Sequence, residues 1–205
     1  GETSHIQWVS PLPEDNFLEY RDEFIDKIDC SIPVGSLKNK LRSFWPKGGP
    51  QWDGIATIRD DSGKYGLLLI EAKAHLHETK SDLKAISKSS IEQIEKALSE
   101  VQTYMGVVNK DWTKQYYQLA NRIAYLYFFN VELKIPAWLV LINFADDESH
   151  KPTNLDAWLL HYNRIFSEMG ISHDSMLFDK IIIVYPSAIN RQIDELKYFI
   201  DDISI

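Results

Sequence analysis

The chain has 205 residues, of which 44% are hydrophobic and 25% are charged. These values are typical of one globular domain with a substantial core, and they exclude a disordered chain. The formal net charge of −8 excludes a protein that grips nucleic acid over its whole surface, although a local basic rim and a bound metal ion are compatible with it.

The sequence shows no sign of a membrane protein. No apolar stretch approaches the length of about 20 residues that crosses a bilayer, and residues 1–10 lack the basic and then apolar pattern of a secretory signal. Cys30 is the single cysteine and forms no internal disulfide, which fits a reducing compartment. We therefore predict no membrane partner and a cytoplasmic location.

Capping residues and apolar periodicity predict the elements of the N-terminal half in chain order. Asp15 or Asn16 caps a first helix that ends near residue 28, and a basic helix follows over residues 36–44. Residues 52–73 then form a hairpin, whose arms are WDGIATIR and YGLLLIEAK and whose turn is DDSG. The second arm is apolar almost throughout, which is typical of a strand that is buried on both faces.

The C-terminal half alternates helices with apolar strands. We predict a helix over residues 91–108 capped by Ser90, an aromatic helix over 112–130, a strand over 136–144, a helix from Thr153 or Asn154 to 169, a strand over 180–185 and a last helix over 188–202. The order predicts one α/β domain over residues 1–205, with a central mixed sheet flanked by helices.

The hairpin brings ionisable side chains together. If the turn is centred on Ser62, residues whose numbers sum to 124 face each other, and Asp53 lies opposite Glu71. The Cβ atoms of such a pair lie roughly 5 Å apart, and side-chain alternation sends Lys73 to the same side as Glu71. A shift of one residue in register would break this arrangement.

Two carboxylates at this distance repel each other unless a cation joins them or one of them takes a proton. Their oxygens suit Mg²⁺ or Mn²⁺, and the backbone carbonyl of Ala72 is a plausible further ligand. A water on such a metal loses its proton more easily, and Lys73 would orient that water and stabilise the developing charge. These groups suit metal-assisted hydrolysis of a phosphodiester.

The string PQWDG, the hairpin and the string IEAKAH resemble the PD-(D/E)xK nuclease superfamily, which includes restriction endonucleases and many repair nucleases. The resemblance implies that Asp53 is the acid of the first motif, that Glu71, Ala72 and Lys73 form the (D/E)xK motif, and that the leading proline is displaced to Pro50. It implies a restriction endonuclease-like core of a helix, three strands, a helix and a strand over residues 15–145, with a C-terminal strand and helix as additions. The first core strand has no evident counterpart here.

Further candidates surround these three residues. Members of the superfamily often add an acid from the first helix to the metal site, which implies Glu19 or Glu23; surface positions on an amphipathic helix are the alternative. The candidate substrate-binding residues are His75, His77, Lys80, Gln102, Gln118 and Arg122. Solvent exposure is the favoured alternative for His75 and His77, and pairing with another structural element is the favoured one for Gln118 and Arg122. A solvated position explains Lys80 and Gln102 equally well. Lys80, Lys84 and Lys88 recur at helical spacing, as a phosphate rim or a solvated face would.

Three functions are open on the sequence alone. The first is a Mg²⁺- or Mn²⁺-dependent nuclease, with DNA as the favoured substrate, acting alone or as a homodimer. The second is a catalytically silent nuclease-fold module that binds protein partners in a defence or repair system. The third is an unrelated α/β protein with a chance ExK. The first requires an open cleft around Asp53, Glu71 and Lys73, the second predicts a blocked cleft, and the third separates Asp53 from Glu71.

Overall fold

The structure, a computed structural model, describes residues 5–30, 32–59, 63–149 and 151–188. Its centre is a five-stranded mixed sheet whose spatial order follows the chain order. The strands are β1 (His5–Ser10), β2 (Gly54–Arg59), β3 (Tyr65–Lys73), β4 (Ala137–Asn143) and β5 (Ile181–Val184). Neighbours are antiparallel from β1 to β3 and parallel from β3 to β5. The predicted α/β class with a mixed sheet is confirmed.

The helices flank this sheet. They are α1 (Val34–Phe44), α2 (Lys88–Met105), α3 (Tyr117–Tyr127) and α4 (Leu155–Met169). The hydroxyl of Ser87, not of Ser90, caps α2 by accepting from the backbone N–H of Ser90 at 3.2 Å, so α2 begins earlier than predicted. Asn154 caps α4 as predicted, accepting from the N–H of Ala157 at 2.8 Å. Among the described residues, every helix is too short or too polar to span a lipid bilayer.

The register of the hairpin is the predicted one. Gly54 pairs with Ile70 and Arg59 pairs with Tyr65, so paired residue numbers sum to 124 along the whole ladder. Residues 60–62 of the predicted turn lie outside the described residues. Both faces of β3 are buried as expected: Leu67 and Leu69 belong to the large core that the four helices share, and Leu68 and Ile70 to a smaller core on the other face.

The N-terminal segment differs from the prediction. In place of a helix from residue 15 or 16 to 28, the described chain has two short 3-10 helices, Pro13–Asp15 and Asp22–Asp26. Asn16 and Phe17 between them have φ values of 55° and 57°, which a helix cannot accommodate. β1 is a strand that was not predicted from the sequence. Its outer position leaves Trp8 49% exposed, so β1 lacks the apolar run of a buried strand.

The aromatic helix is shorter than predicted at its N-terminus. The α-helix begins at Tyr117 rather than at Trp112, because Gln115 has a φ of 61° and Trp112 packs against α4, donating to the carbonyl of Met169 at 2.9 Å. The C-terminus of α3 continues as a π-helical turn over Phe128–Glu132. The predicted last helix, over residues 188–202, lies outside the described residues apart from Ala188.

Candidate active site

The C-terminal end of β3 turns from apolar to charged on the face that carries the helices. Side chains alternate along the strand, so Glu71 and Lys73 continue the row of Leu67 and Leu69. Asp53 lies just before β2 on the neighbouring strand, where its carboxylate accepts a hydrogen bond from the backbone N–H of Ala72 at 2.6 Å. The structure therefore brings the three predicted residues together, and the separation expected for a chance ExK is not observed.

Glu71 is buried and held by three side chains. Its Oε2 accepts from Nε of Arg122 at 2.8 Å, and the NH2 nitrogen of the same guanidinium lies 2.7 Å from Oε2. Its Oε1 accepts from the amide of Gln118 at 2.8 Å and from the ammonium of Lys73. Gln118 and Arg122 are one turn apart on α3, so a single helix face carries both donors. Both residues therefore pair with another structural element, β3, and the residue that they bind there is Glu71 of the candidate site.

Lys73 is the residue that the resemblance identifies as the lysine of the (D/E)xK motif. Its Nζ donates both to Oε1 of Glu71 and to the carbonyl of Ala72, the latter at 3.0 Å. The carboxylate of Glu71 and the carbonyl of Ala72 are two of the three groups expected to bind metal, and both contact the ammonium of Lys73. The third, the carboxylate of Asp53, adjoins them. The donor set is therefore suited to a hard cation that takes one or two carboxylates, as Mg²⁺ does.

The electrostatics of Asp53 distinguish it from Glu71. Burial raises the pKa of Asp53, and the negative charge of Glu71 raises it further, against the lowering effects of the Ala72 N–H and Lys73. Within the described chain, the Ala72 N–H is the sole hydrogen bond to Asp53. An ionised Asp53 is thus a carboxylate whose charge its protein neighbours do not fully offset.

The loop before β2 is fixed by α3 at two points. Arg122 donates from NH2 to the carbonyl of Gln51 at 2.7 Å and lies over the ring of Trp52, 5.1 Å from its centroid. One turn further along α3, the hydroxyl of Tyr125 donates to Asp22 at 2.7 Å. Asp22 also accepts from the N–H of Gly49 at 3.3 Å. These contacts set the position from which Asp53 enters the site.

A small cavity adjoins the charged groups. It measures about 20 Å³, room for about one water molecule. Its polar lining is Glu71, Lys73, Thr79, Gln118, Arg122 and Tyr162. No three His, Cys, Asp or Glu side chains in the described ranges are grouped to hold a metal ion. The site instead offers two carboxylates and one backbone carbonyl, a set to which Mg²⁺ would add water and phosphate oxygens.

The two candidate acids of the N-terminal segment lie in different surroundings. Glu19 is exposed, accepts from the amide of Gln51 at 2.7 Å, and contributes to the raised pKa of Asp53. Glu23 accepts from the N–H of Arg21 at 3.0 Å and has no such influence on Asp53. Neither residue lies on the α-helix that was predicted to carry it. Glu19 is the one that faces the site.

The remaining candidates follow β3 or lie farther away. His75 opens a 3-10 turn, Leu76–Thr79, and its Nε2 is 3.3 Å from the carboxylate of Glu78. The ring of His77 lies 6.2 Å from that of His75, and Lys80 is exposed. Gln102 donates to the carbonyl of Lys110 at 2.8 Å near the C-terminus of α2, in a hollow separate from the cavity beside Glu71.

The prediction missed four further polar residues at this end of the sheet, which are Thr79, Asn143, His161 and Tyr162. Thr79 borders the cavity, and its hydroxyl is 2.8 Å from Nε2 of His161. Tyr162 lines the cavity and donates to the fully buried Asn143 at 2.9 Å. Asn143 pairs with Lys73 across the strands. A polar residue at the end of the apolar run of β4 was the available signal.

No family model matches the chain, and no curated protein or solved structure matches it either. The likeness to the PD-(D/E)xK nucleases therefore rests on Asp53, Glu71 and Lys73 and on the hairpin that joins them. What these residues can do is set by the distances and charges described above.

Proposed function

We propose that the protein is a Mg²⁺- or Mn²⁺-dependent nuclease that hydrolyses phosphodiesters, with DNA as the favoured substrate. The observation that carries the proposal is the convergence of Asp53, Glu71 and Lys73 at one end of β3. The chain order of three antiparallel strands, helices and a parallel strand also supports it, because the family core has this order after its first helix. Two departures are the first core helix, which the described residues do not show before β1, and α1, which lies between the first and second strands.

Each residue has a role that its contacts support. Asp53, Oε1 of Glu71 and the carbonyl of Ala72 would hold the metal, with Glu19 near enough to add negative charge. A bound Mg²⁺ would supply a more acidic water and neutralise charge on the phosphate. Lys73 contacts two of the same oxygens, so its ammonium is at hand to donate to the attacking water and to the phosphate oxygens.

Arg122 and Gln118 act on Glu71 rather than on substrate. The guanidinium of Arg122 binds Oε2 through two nitrogens, which leaves Oε1 as the oxygen that faces Lys73. A buried ion pair is tolerated only when its geometry and its remaining hydrogen bonds are good. Arg122 therefore acts as a positioning residue that orients Glu71.

The test is plasmid cleavage in Mg²⁺ or Mn²⁺ by the wild type and by the variants Asp53→Asn and Lys73→Met. Asn at position 53 can still accept from the N–H of Ala72, so the fold is retained while the charge is lost. We expect each variant to lose about 100-fold or more in rate, as when one electrostatic contact to a transition state is removed. Glu95→Gln, on the exposed side of α2, is the matched control. Wild-type rates in both site variants would refute the proposal.

A second function has a specific observation in its favour. The complete pairing of Glu71 by Arg122, Gln118 and Lys73, together with a cavity of only about 20 Å³, is what a silent binding or assembly module would show. A Mn²⁺ titration followed by electron paramagnetic resonance separates the two. The nuclease binds Mn²⁺ in a way that Asp53→Asn abolishes, whereas the silent module shows no Asp53-dependent binding and no cleavage.

A further inference from the structure

Four basic side chains come together beside the candidate site from two separate parts of the chain. His77 and Lys80 belong to the segment that follows β3, and His161 and Arg164 lie one turn apart on α4. The contact between Thr79 and His161, at 2.8 Å, joins the two parts. Lys80 follows Thr79 in the chain and Arg164 lies one turn from His161, so this contact brings the two parts of the cluster into one neighbourhood. The charges of Lys80, Arg164 and His77 act on the ring of His161 accordingly.

Thr79 connects this cluster to the candidate site. It is 8% exposed and lines the same cavity as Glu71 and Lys73, while its hydroxyl contacts His161. His77, Lys80 and Arg164 are exposed, and His161 is partly exposed. The cluster therefore begins at a side chain that borders the site and continues outward along the surface.

The hydrogen bonds of Thr79 determine which nitrogen of His161 carries a proton. The threonine hydroxyl has one hydrogen, which it donates to the carbonyl of Leu76 at 2.7 Å. Its oxygen must then accept from Nε2–H of His161. Nδ1 is left as the nitrogen that takes up the second proton, so His161 becomes a cation when an anion approaches the cluster.

The negative charge of Glu168 is shared between Arg164, a member of the cluster, and two neutral side chains. Glu168 accepts from Nε of Arg164 at 2.6 Å, and it also binds the side chains of Gln115 and Tyr116. Within the described chain, the two terminal nitrogens of Arg164 make no hydrogen bond. In a chain with a net charge of −8, a local group of cations of this kind is where a polyanion is drawn to the surface.

We propose that His77, Lys80, His161 and Arg164 form a phosphate rim that binds a backbone phosphate of the DNA strand, next to the phosphate held in the candidate site. The identification of the strand as DNA rests on the proposed function. The affinity of the rim for phosphate groups rests only on the four basic side chains. Of the predicted rim lysines, Lys80 is retained, while His161 and Arg164 of α4 replace Lys84 and Lys88.

The experiment measures binding of a short fluorescein-labelled DNA duplex by anisotropy in EDTA over a series of salt concentrations. Wild type is compared with Lys80→Gln, Arg164→Gln and the double variant, and cleavage in Mg²⁺ is measured in parallel. Lys96→Gln removes the same charge from an exposed residue in the hollow between α1 and α2. We expect about a fivefold loss of affinity for each single variant and a fall of about one in the salt slope, with the control unchanged.

The outcomes separate the rim from the catalytic proposal. Binding that depends on Lys80 and Arg164, without metal-dependent cleavage, supports the rim and removes the nuclease. Cleavage with unchanged binding in both rim variants overturns the rim and leaves the nuclease. An equal loss of affinity in Lys96→Gln, or no binding by the wild type, also overturns the rim.

Discussion

Helix α3 holds one buried carboxylate, Glu71, and one partly buried carboxylate, Asp22, in contrasting surroundings. Tyr125 and Arg122, three residues apart, bind Asp22 and Glu71 respectively. Asp22 also accepts from Arg42 and from the N–H of Gly49. Both carboxylates are therefore paired with an arginine and with a neutral donor. Their hydrogen bonds are alike, so burial and arginine pairing by themselves do not identify an active site.

The difference lies in what faces each carboxylate. Asp22 faces donors from the loop that it fixes, and its charge helps to raise the pKa of Tyr125 well above the ordinary value, after burial. Glu71 faces a second carboxylate, Asp53, whose pKa it raises. The first network holds a loop in place, while the second retains a repulsion that a cation would relieve. The repulsion between Asp53 and Glu71, rather than the ion pair with arginine, distinguishes the candidate site from the structural network of Asp22.

The largest effect is expected from Arg122→Met, which breaks the Glu71 network. Glu71 would then be left buried without its main cation, and loss of one partner of a buried pair costs about 3–5 kcal/mol. Arg42→Met is the matched change in the Asp22 network. Because the Arg42 side chain is 35% exposed, we expect a loss of only about 1 kcal/mol there. Urea denaturation gives both values, and equal losses would contradict the contrast.

The next largest effect is expected from Gly49→Ala, which breaks the Asp22 network. A Cβ at this position would overlap the hydroxyl of Tyr125, which is fully buried, and the carboxylate of Asp22, which Tyr125 and Arg42 hold. Overpacking of this kind costs about 1–3 kcal/mol. Gly35→Ala on α1, where a Cβ meets nothing within 4 Å, is the control and should cost nothing. If Gly49→Ala unfolds at the same urea concentration as the control, the packing described here is wrong.

The parts of this contrast that the sequence predicted are those with local signals. The hairpin register followed from turn residues and alternation, and it placed Asp53 opposite Glu71. The Asp22 network was not predictable, because it joins residues more than a hundred positions apart through a segment that was taken for an α-helix. Positive φ values at Asn16 and Phe17 leave no periodic trace in the sequence. The pairing of Arg122 with Glu71 likewise depends on how α3 crosses the sheet.

A smaller effect of opposite sign is expected from Asp53→Asn without metal. The folded-state pKa of Asp53 is raised, so the native state binds more protons than the unfolded state as pH rises above the ordinary value of 3.8. Ionised Asp53 therefore destabilises the fold at neutral pH, and its removal should raise Tm by about 2 °C. The gain should vanish at pH values below 3.8, where both states are protonated.

Added Mg²⁺ sharpens the same comparison. A ligand that binds only the folded state stabilises it in proportion to its occupancy, so Mg²⁺ should raise Tm of the wild type and not of Asp53→Asn. Thermal unfolding followed by circular dichroism, with and without Mg²⁺, measures both effects. An Asp53→Asn protein that is less stable than the wild type in EDTA would show that the carboxylate is structural, like Asp22.

The smallest effect is expected from His161→Gln, at the edge of the Glu71 region. Burial lowers the pKa of His161, and the charges of Lys80, Arg164 and His77 lower it further, against the opposing charge of Glu168. The unfolded state therefore binds more protons just below the ordinary value of 6.5, and stability contributed by neutral His161 is lost as pH falls through that value.

The wild type should consequently lose more stability than His161→Gln when the pH falls from above to below 6.5, by on the order of 1 °C in Tm. His5→Gln, which alters an exposed histidine of β1, is the matched control and should follow the wild type. If Tm changes with pH by the same amount in the wild type and in His161→Gln, the pKa of His161 is not lowered by burial and by the neighbouring cations. Phosphate should reduce the difference, because an anion in the phosphate rim favours the protonated ring.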